Sequence, residues 1–374
     1  MRNSLLATTA IVGASMLGVA AAEASDPPEL RLDGFLRFEA KFIDQDVTVG
    51  RARAIHFESD DAGFNMNADA TADNGLKYGL KIEIDTDAAQ AGVDELRIRF
   101  SGDWGILDLG DDDGAEDSMA YGGENMMTAG GGYDGGAASA FNNLGVRGFG
   151  PNLGEGGGDS GDASKITYYT PRVSGVQLGV SYTPDTGNNL ASNISASDTQ
   201  DLVHHVGVGL NYVEKFGDVD FRLHGITGFG QVDDDLNDTI EDGHGYMVGL
   251  GLGWMGWKLG LGYGDGGDGL QTKAGNQTNP EWISTGLGYT TGPYTFGAGY
   301  LHSSARRANE LLDTTNFWAV MAQYTVAPGL IAYAEVDYID VNSAASTITS
   351  TDGLGTIQDD NDAVVFQVGT RVTF

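Results

Sequence analysis

Hydrophobic residues in this chain recur at every second position, and the positions between them are charged or glycine. Leu30, Leu32, Leu36 and Phe38 alternate with Arg31, Asp33, Arg37, Glu39 and Lys41. Leu76, Tyr78, Leu80, Ile82 and Ile84 alternate with Lys77, Lys81, Glu83 and Asp85. Leu96, Ile98 and Phe100 alternate with Glu95, Arg97 and Arg99. Successive side chains of a strand point to opposite faces, so each stretch is a strand with one apolar and one polar face. A soluble all-β domain would have to pack a second face in a dry core, and here that face is charged or glycine. Stretches of about ten residues suit a tilted strand that crosses a bilayer.

Later stretches keep the period and put glycine on the second face. Tyr246, Val248, Leu250, Leu252 and Trp254 alternate with Gly249, Gly251 and Gly253, and Trp257, Leu259, Leu261 and Tyr263 with Lys258, Gly260 and Gly262. A dinucleotide-binding glycine loop needs a strand-turn-helix context that is absent here, so these strings read as strand alternation. Connections alternate short with long. The short ones are Asp73-Asn74-Gly75, Gly102-Asp103-Trp104-Gly105, Val173-Ser174-Gly175, Lys215 to Asp218, Met255-Gly256, Thr290 to Pro293 and Ala327-Pro328-Gly329, rich in hairpin residues. Between them lie polar stretches near residues 44–61, 86–92, 111–163, 184–202, 230–243, 265–280, 303–314 and 341–361. Arg51 to Phe57 fits either the first of these or the strand after it. Seven turns and eight loops imply an antiparallel barrel of about sixteen strands with both termini on the short-turn, periplasmic side. A barrel that wide is too broad to fill with side chains, so water fills it. Tyr182, Tyr212, Trp254, Trp257, Tyr289, Tyr294, Tyr324 and Tyr338 sit at strand ends, where aromatic girdles meet the membrane interface.

The 374 residues carry 20 Lys and Arg against 53 Asp and Glu, a formal net charge of −33, which repels polyphosphate and excludes nucleic acid as a partner. No cysteine is present, so disulfides, thiolate metal sites and cysteine nucleophiles are all excluded. At the N-terminus, Arg2, the apolar run Leu5 to Val19 and Ala22-Glu23-Ala24 form an export signal with an A-x-A cleavage site. Residues 1–24 are expected to be removed and 25–374 to form the mature barrel, starting at Ser25.

Two passages resemble the Gram-negative general porin family. Lys165-Ile166-Thr167-Tyr168-Tyr169-Thr170-Pro171 with Gly175 to Tyr182 resembles the strand pair that follows the family's constriction loop. The final strand, with Val364, Phe366, Val368, Val372 and terminal Phe374, is similar to the signal read by the β-barrel assembly machinery. The Asp73-Asn74-Gly75-Leu76 hairpin and the Gly102 to Gly110 stretch are porin-like as well. The resemblance implies a sixteen-stranded transmembrane barrel in the outer membrane, usually a homotrimer, whose third outer loop folds inward and narrows a pore for small hydrophilic solutes and ions.

Residues 111–163 fit that loop by position and length, and a structureless stretch so long calls for a functional reason. Its acids Asp111, Asp112, Asp113, Glu116, Asp117 and Glu124 are expected to face a basic wall. Counted from the periplasmic ends at a climb of roughly 2.4 Å per tilted residue, Arg37, Lys81 and Arg97 fall near mid-height, Lys77 and Arg99 lower and Lys41 higher. Acid facing base gives a transverse field across an eyelet, and excess acid at the mouth favours cations. The alternatives are an ordinary wet lining without special depth, and a channel specific for one substrate class. Asp233, Asp234 and Asp235 with Asp238, and Asp359-Asp360-Asn361-Asp362, are read as outer-loop acids that could hold Ca²⁺ or Mg²⁺ through oxygen ligands or bridge to outer-leaflet lipid, though without EF-hand spacing. No other cofactor is expected. Gly158-Asp159-Ser160-Gly161 mimics the serine-nucleophile turn of trypsin-like proteases, but the mature chain lacks that family's upstream histidine motif, and no enzyme is expected. The adjacent His204 and His205 point to opposite faces and cannot share a metal.

Overall fold

The computed structural model describes residues 27–46, 54–85, 92–134, 141, 146, 151–187, 201–232, 239–307, 311–343 and 360–374. The export signal and Asp233 to Asp235 lie outside them. The described elements comprise sixteen strands in one closed sheet. In chain order these are β1 (Glu29–Gln45), β2 (Ile55–Thr71), β3 (Lys77–Asp85), β4 (Gly92–Gly102), β5 (Gly105–Asp111), β6 (Ser164–Tyr169), β7 (Val176–Asp185) and β8 (Leu202–Phe216). They continue as β9 (Val219–Val232), β10 (Gly243–Trp254), β11 (Trp257–Asp265), β12 (Glu281–Thr291), β13 (Tyr294–Arg306), β14 (Leu312–Ala327), β15 (Leu330–Asn342) and β16 (Asp360–Thr373). Each strand pairs antiparallel with its sequence neighbours, and β1 closes the ring on β16 from Phe35↔Thr373 to Gln45↔Ala363. Terminal Phe374 exchanges backbone hydrogen bonds with Gly34 at 3.0 and 3.1 Å, so the chain's end fastens the seam. Closure leaves no edge strand, which is the only way a sheet satisfies its backbone in lipid.

Two spans read from the sequence change. β2 begins at Ile55, so the last part of Arg51 to Phe57 is strand and the first loop is shorter than 44–61. Asp360, Asn361 and Asp362 belong to β16 rather than to an outer loop. Alternation turns Asn361 inward, 1% exposed, and its two neighbours outward, so the three cannot gather around one ion.

The apolar face points outward all round the ring. Leu36, Phe38, Leu80, Ile98, Val248, Val320 and Phe366 are all exposed on it, an arrangement that lipid rewards and water penalises by about 25 cal/mol per Å² of apolar area. Aromatic pairs mark two belts. At the short-turn end Trp257 and Tyr289 have ring centroids 4.4 Å apart and Tyr294 and Tyr324 5.2 Å apart; at the long-loop end Tyr300, Trp318 and Tyr338 succeed one another at 5.0 and 5.4 Å. The inner face is divided. On β3 to β5 it carries Lys81, Arg97, Arg99 and Asp108, on β8 to β13 largely glycine, and on β13 to β16 apolar residues such as Leu301, Phe317, Ile339 and Val365, all fully buried.

Candidate pore constriction

The segment between β5 and β6 explains that division. It opens with helix α1 (Ala115–Ser118) and runs along the inner wall past β7 to β15. The glycines of the late strands are its bed. A Cβ at Gly207 would strike the Glu116 carboxylate, at Gly249 the Tyr121 carbonyl, at Gly260 the Gly122 carbonyl and at Gly286 the Gly123 carbonyl. Further along, Met127 and Tyr133 pack with Phe317 and Met321 in an apolar core, Tyr133 meeting Phe317 edge-on at 6.0 Å. The inward apolar residues of β13 to β16 are therefore seats for the segment, not errors in a polar lining.

Polar contacts fasten it as well. Ala115 N donates to Ser181 Oγ at 2.6 Å, Gly123 N to Ser284 Oγ at 3.1 Å and Gly132 N to Glu335 Oε1 at 2.9 Å. His224 on β9 bonds the backbone of Tyr121. Lys165, 6% exposed, gives its ammonium to the carbonyls of Asp112 and Gly161 and so ties the two ends of the segment together. Buried donors and acceptors left unmatched cost about 1–3 kcal/mol each, so these bonds fix where the segment lies.

Opposite this bed stands the charged wall. Lys81 and Arg97 are register partners on β3 and β4. Lys81 pairs with Glu83 and, at 2.6 Å, with Glu95; Arg97 reaches Asp112 at 2.9 Å; Arg99 grips Asp108 through two bonds of 2.6 and 2.7 Å. Asp113 lies against Asp117, Asp159 and Asp162, and burial first, then these carboxylates, push its pKa up to about 8. One oxygen each of Glu95, Asp113 and Asp162 falls within 4.8 Å of the others, a close gathering of acids at the rim of the opening.

The family of Gram-negative porins matches residues 7–344. The chain belongs to the Gram-negative porins. Membership of that family and the closed sixteen-stranded barrel make it an outer-membrane β-barrel protein. Relatives in sequence include a protein of Rickettsia bellii, 23% identical over 84% of this chain and 86% of that one. In structure the porin is similar to OmpT of Vibrio cholerae in its trimer form, at TM-score 0.62 and 16% identity, with 93% of this chain and 100% of that one covered. An anion-selective porin from Comamonas acidovorans aligns at TM-score 0.62 and 13% identity over 93% and 100% of the two chains, and a mutant of the Rh. blastica porin at 0.57 and 19% over 92% and 100%.

Of the residues singled out in the sequence, the porin brings Lys81, Arg97 and Arg99 together on one wall, with Asp112 in contact with Arg97. Arg37 faces inward too, but it is 7% exposed and beside Glu39 at 3.2 Å. With Lys41, which pairs with Glu39 at 3.1 Å and with Glu58, it belongs to a buried network rather than to the open wall. Asp111 ends β5 and accepts from Ser164. Asp117 and Glu124 line a cavity of about 220 Å³ behind the loop, and Glu124 accepts from Ser284 at 3.1 Å. Glu116, 1% exposed, turns away from the basic wall toward β8, where Ser160 Oγ donates to it at 2.5 Å and His205 Nδ1 lies 3.9 Å off. The Gly158 to Gly161 string is thus a clasp: Ser160 bonds the carboxylate, and His205 Nε2 meets the carbonyl of Gly158 at 2.7 Å, not the serine hydroxyl. His204 points outward to the Tyr182 hydroxyl, on the face opposite His205 as alternation requires. Lys165, Arg172, Arg222 and His224 were not singled out as site residues. Their sequence signal was parity alone: Arg222 and His224 share the inward register of Gly228 on β9.

Proposed function

We propose that this porin is a general-diffusion channel: it passes small hydrophilic solutes and ions through a water-filled lumen, is narrowed by residues 112–163, prefers cations, and acts without catalysis or a resident cofactor. The observation that carries the reading is the loop's position. It is fastened along a glycine bed on one side of the lumen, and at its root Asp112 meets Arg97 at 2.9 Å beside Lys81 and Arg99, with Asp113 among the acids Glu95 and Asp162. A transverse field orders water in the gap, which an apolar molecule must displace without replacing its interactions. The net charge of −33 and the acids behind the loop support the cation preference. The trimer form of OmpT, a structural neighbour, supports a homotrimer here, and exposed Phe374 at the seam suits a signal read during assembly. Purified protein in a planar bilayer tests the reading. Large ohmic steps in threes, with a reversal potential of cation sign in a salt gradient, are expected. Small saturable currents would replace general diffusion with a substrate-specific channel, and an anion-sign potential would overturn the preference.

A further inference from the structure

Beneath the first limb of the loop, on the short-turn side, lies a cavity of about 560 Å³. Its roof includes Ser118, Met119 and Ala120. Four arginines line it, Arg97 and Arg99 from β4, Arg172 from the turn region between β6 and β7, and Arg222 from β9; Asp112 is the one carboxylate among its described lining residues. Arg97 and Arg99 are neutralised by Asp112 and Asp108. Among the described residues the other two have no carboxylate partner. Arg172 spends its guanidinium on neutral acceptors, Gly175 O at 2.6 Å and Gln177 Oε1 at 2.7 Å, and Arg222 rests over the Tyr121 ring at 4.5 Å. Two guanidiniums with no carboxylate partner among the described residues, in a partly enclosed space, make a receptor for oxyanions, because the planar fork matches carboxylate and phosphate two bonds at a time. The volume lies within the range of small-molecule sites.

We propose that this compartment is a binding subsite for small solutes bearing carboxylate or phosphate groups, held by Arg172 and Arg222 below the constriction. It rests on the channel reading and deepens it: the route is acidic above the loop and anion-binding beneath it. A porin so built slows anionic solutes on the periplasmic side instead of excluding them.

The test is block of potassium chloride current through the full-length mature protein in oriented bilayers, with succinate and, separately, inorganic phosphate as probes. Ohmic steps without either probe establish the channel; their absence defeats the channel reading independently of the subsite. With the channel present, a saturable fall in conductance is expected, at lower probe concentration from the short-turn side than from the loop side. Arg172→Gln with Arg222→Gln should raise the half-blocking concentration about tenfold or more, since each charge-assisted bond contributes more than a tenfold change in affinity. Block by both probes supports a general oxyanion subsite, and block by one alone supports the subsite and names its preferred group. Block that does not saturate, or that is equal from the two sides, overturns the proposal without recourse to any variant, and so does equal block of the double variant.

Discussion

The early and late strands solve the same problem, what to place on the inward face of a wide barrel, in opposite ways. On β3 to β5 the inward positions are long charged side chains that pair with one another and with Asp112 at the root of the loop. On β8 to β13 they are glycines against which a backbone lies flat. Side chains fill space and hold water; their absence admits a second layer of chain. The lumen is therefore asymmetric because one half of the wall is built to be covered and the other to stay wet. The charge contrast follows: behind the loop sit Glu116, Asp117, Glu124 and Asp159, with no basic residue among the described lining, and beneath it four arginines.

The largest effect should come from filling the bed. Gly249→Leu places atoms where the Tyr121 carbonyl and the His224 ring now stand. Overpacking of this kind costs about 1–3 kcal/mol, which the loop escapes by leaving the wall. Expected is a shift of single-channel conductance by about twofold, with noisy open levels as the loop moves. Gly225→Leu is the matched control: its Cβ meets only Val248 at 3.8 Å on the lipid side, and its conductance should match the unaltered channel. Equal behaviour of the two variants would mean that the glycine face is not a bed at all.

The barrel itself was legible because period two, turn chemistry and the rhythm of short and long connections are local properties, and lipid enforces them at every strand. Alternation also fixed which residues face inward, including Lys81, Arg97 and Arg99. It could not say which inward residues remain in water. Arg37 and Arg97 have the same parity and similar height, yet Arg37 is buried beside Glu39, which takes a bond from Tyr333 far away in sequence. The loop's path is likewise set by tertiary contacts such as Gly123 with Ser284 and Gly132 with Glu335. The role of the late glycines is hidden for the same reason. As sequence they read only as strand alternation; as structure they are the mould of the loop. Asp360 to Asp362 looked like loop because acids end strands more often than they continue them, but pairing with β15 from Asn342↔Asp360 onward carries them into the sheet.

A milder change separates the two kinds of basic residue. Arg97→Gln removes a charge from the open wall and releases Asp112, now 2.9 Å away, into the opening. The potassium-to-chloride permeability ratio should rise by about twofold, read from the reversal potential, since rings of acid favour cations. Arg37→Gln should move that ratio less and lower thermal stability more, because it leaves Glu39, 0% exposed, with one cation fewer in a buried network. Selectivity that responds more to Arg37 than to Arg97 would reverse the assignment of open and covered walls.

The smallest effect is the response of the opening to pH. Asp113, with its pKa pushed up to about 8 by burial and by Asp117, Asp162 and Asp159, is largely neutral at pH 7 and gains its charge as pH rises through 8. A free aspartate has already lost its proton near pH 4, so between about pH 4 and 8 the folded chain holds a proton that the unfolded chain has released. The linkage therefore takes stability away as pH rises across that window and adds no further loss above it. The charge matters for transport in the upper part of the window. Cation preference should climb in a step centred near pH 8, and Asp113→Asn should flatten the step while leaving a cation-sign potential at pH 7. A step that survives in Asp113→Asn would assign it to another group. A flat profile in the unaltered porin would mean that Asp113 already carries its charge at neutral pH, so that the acids gathered at the rim are better hydrated than their burial under the loop implies.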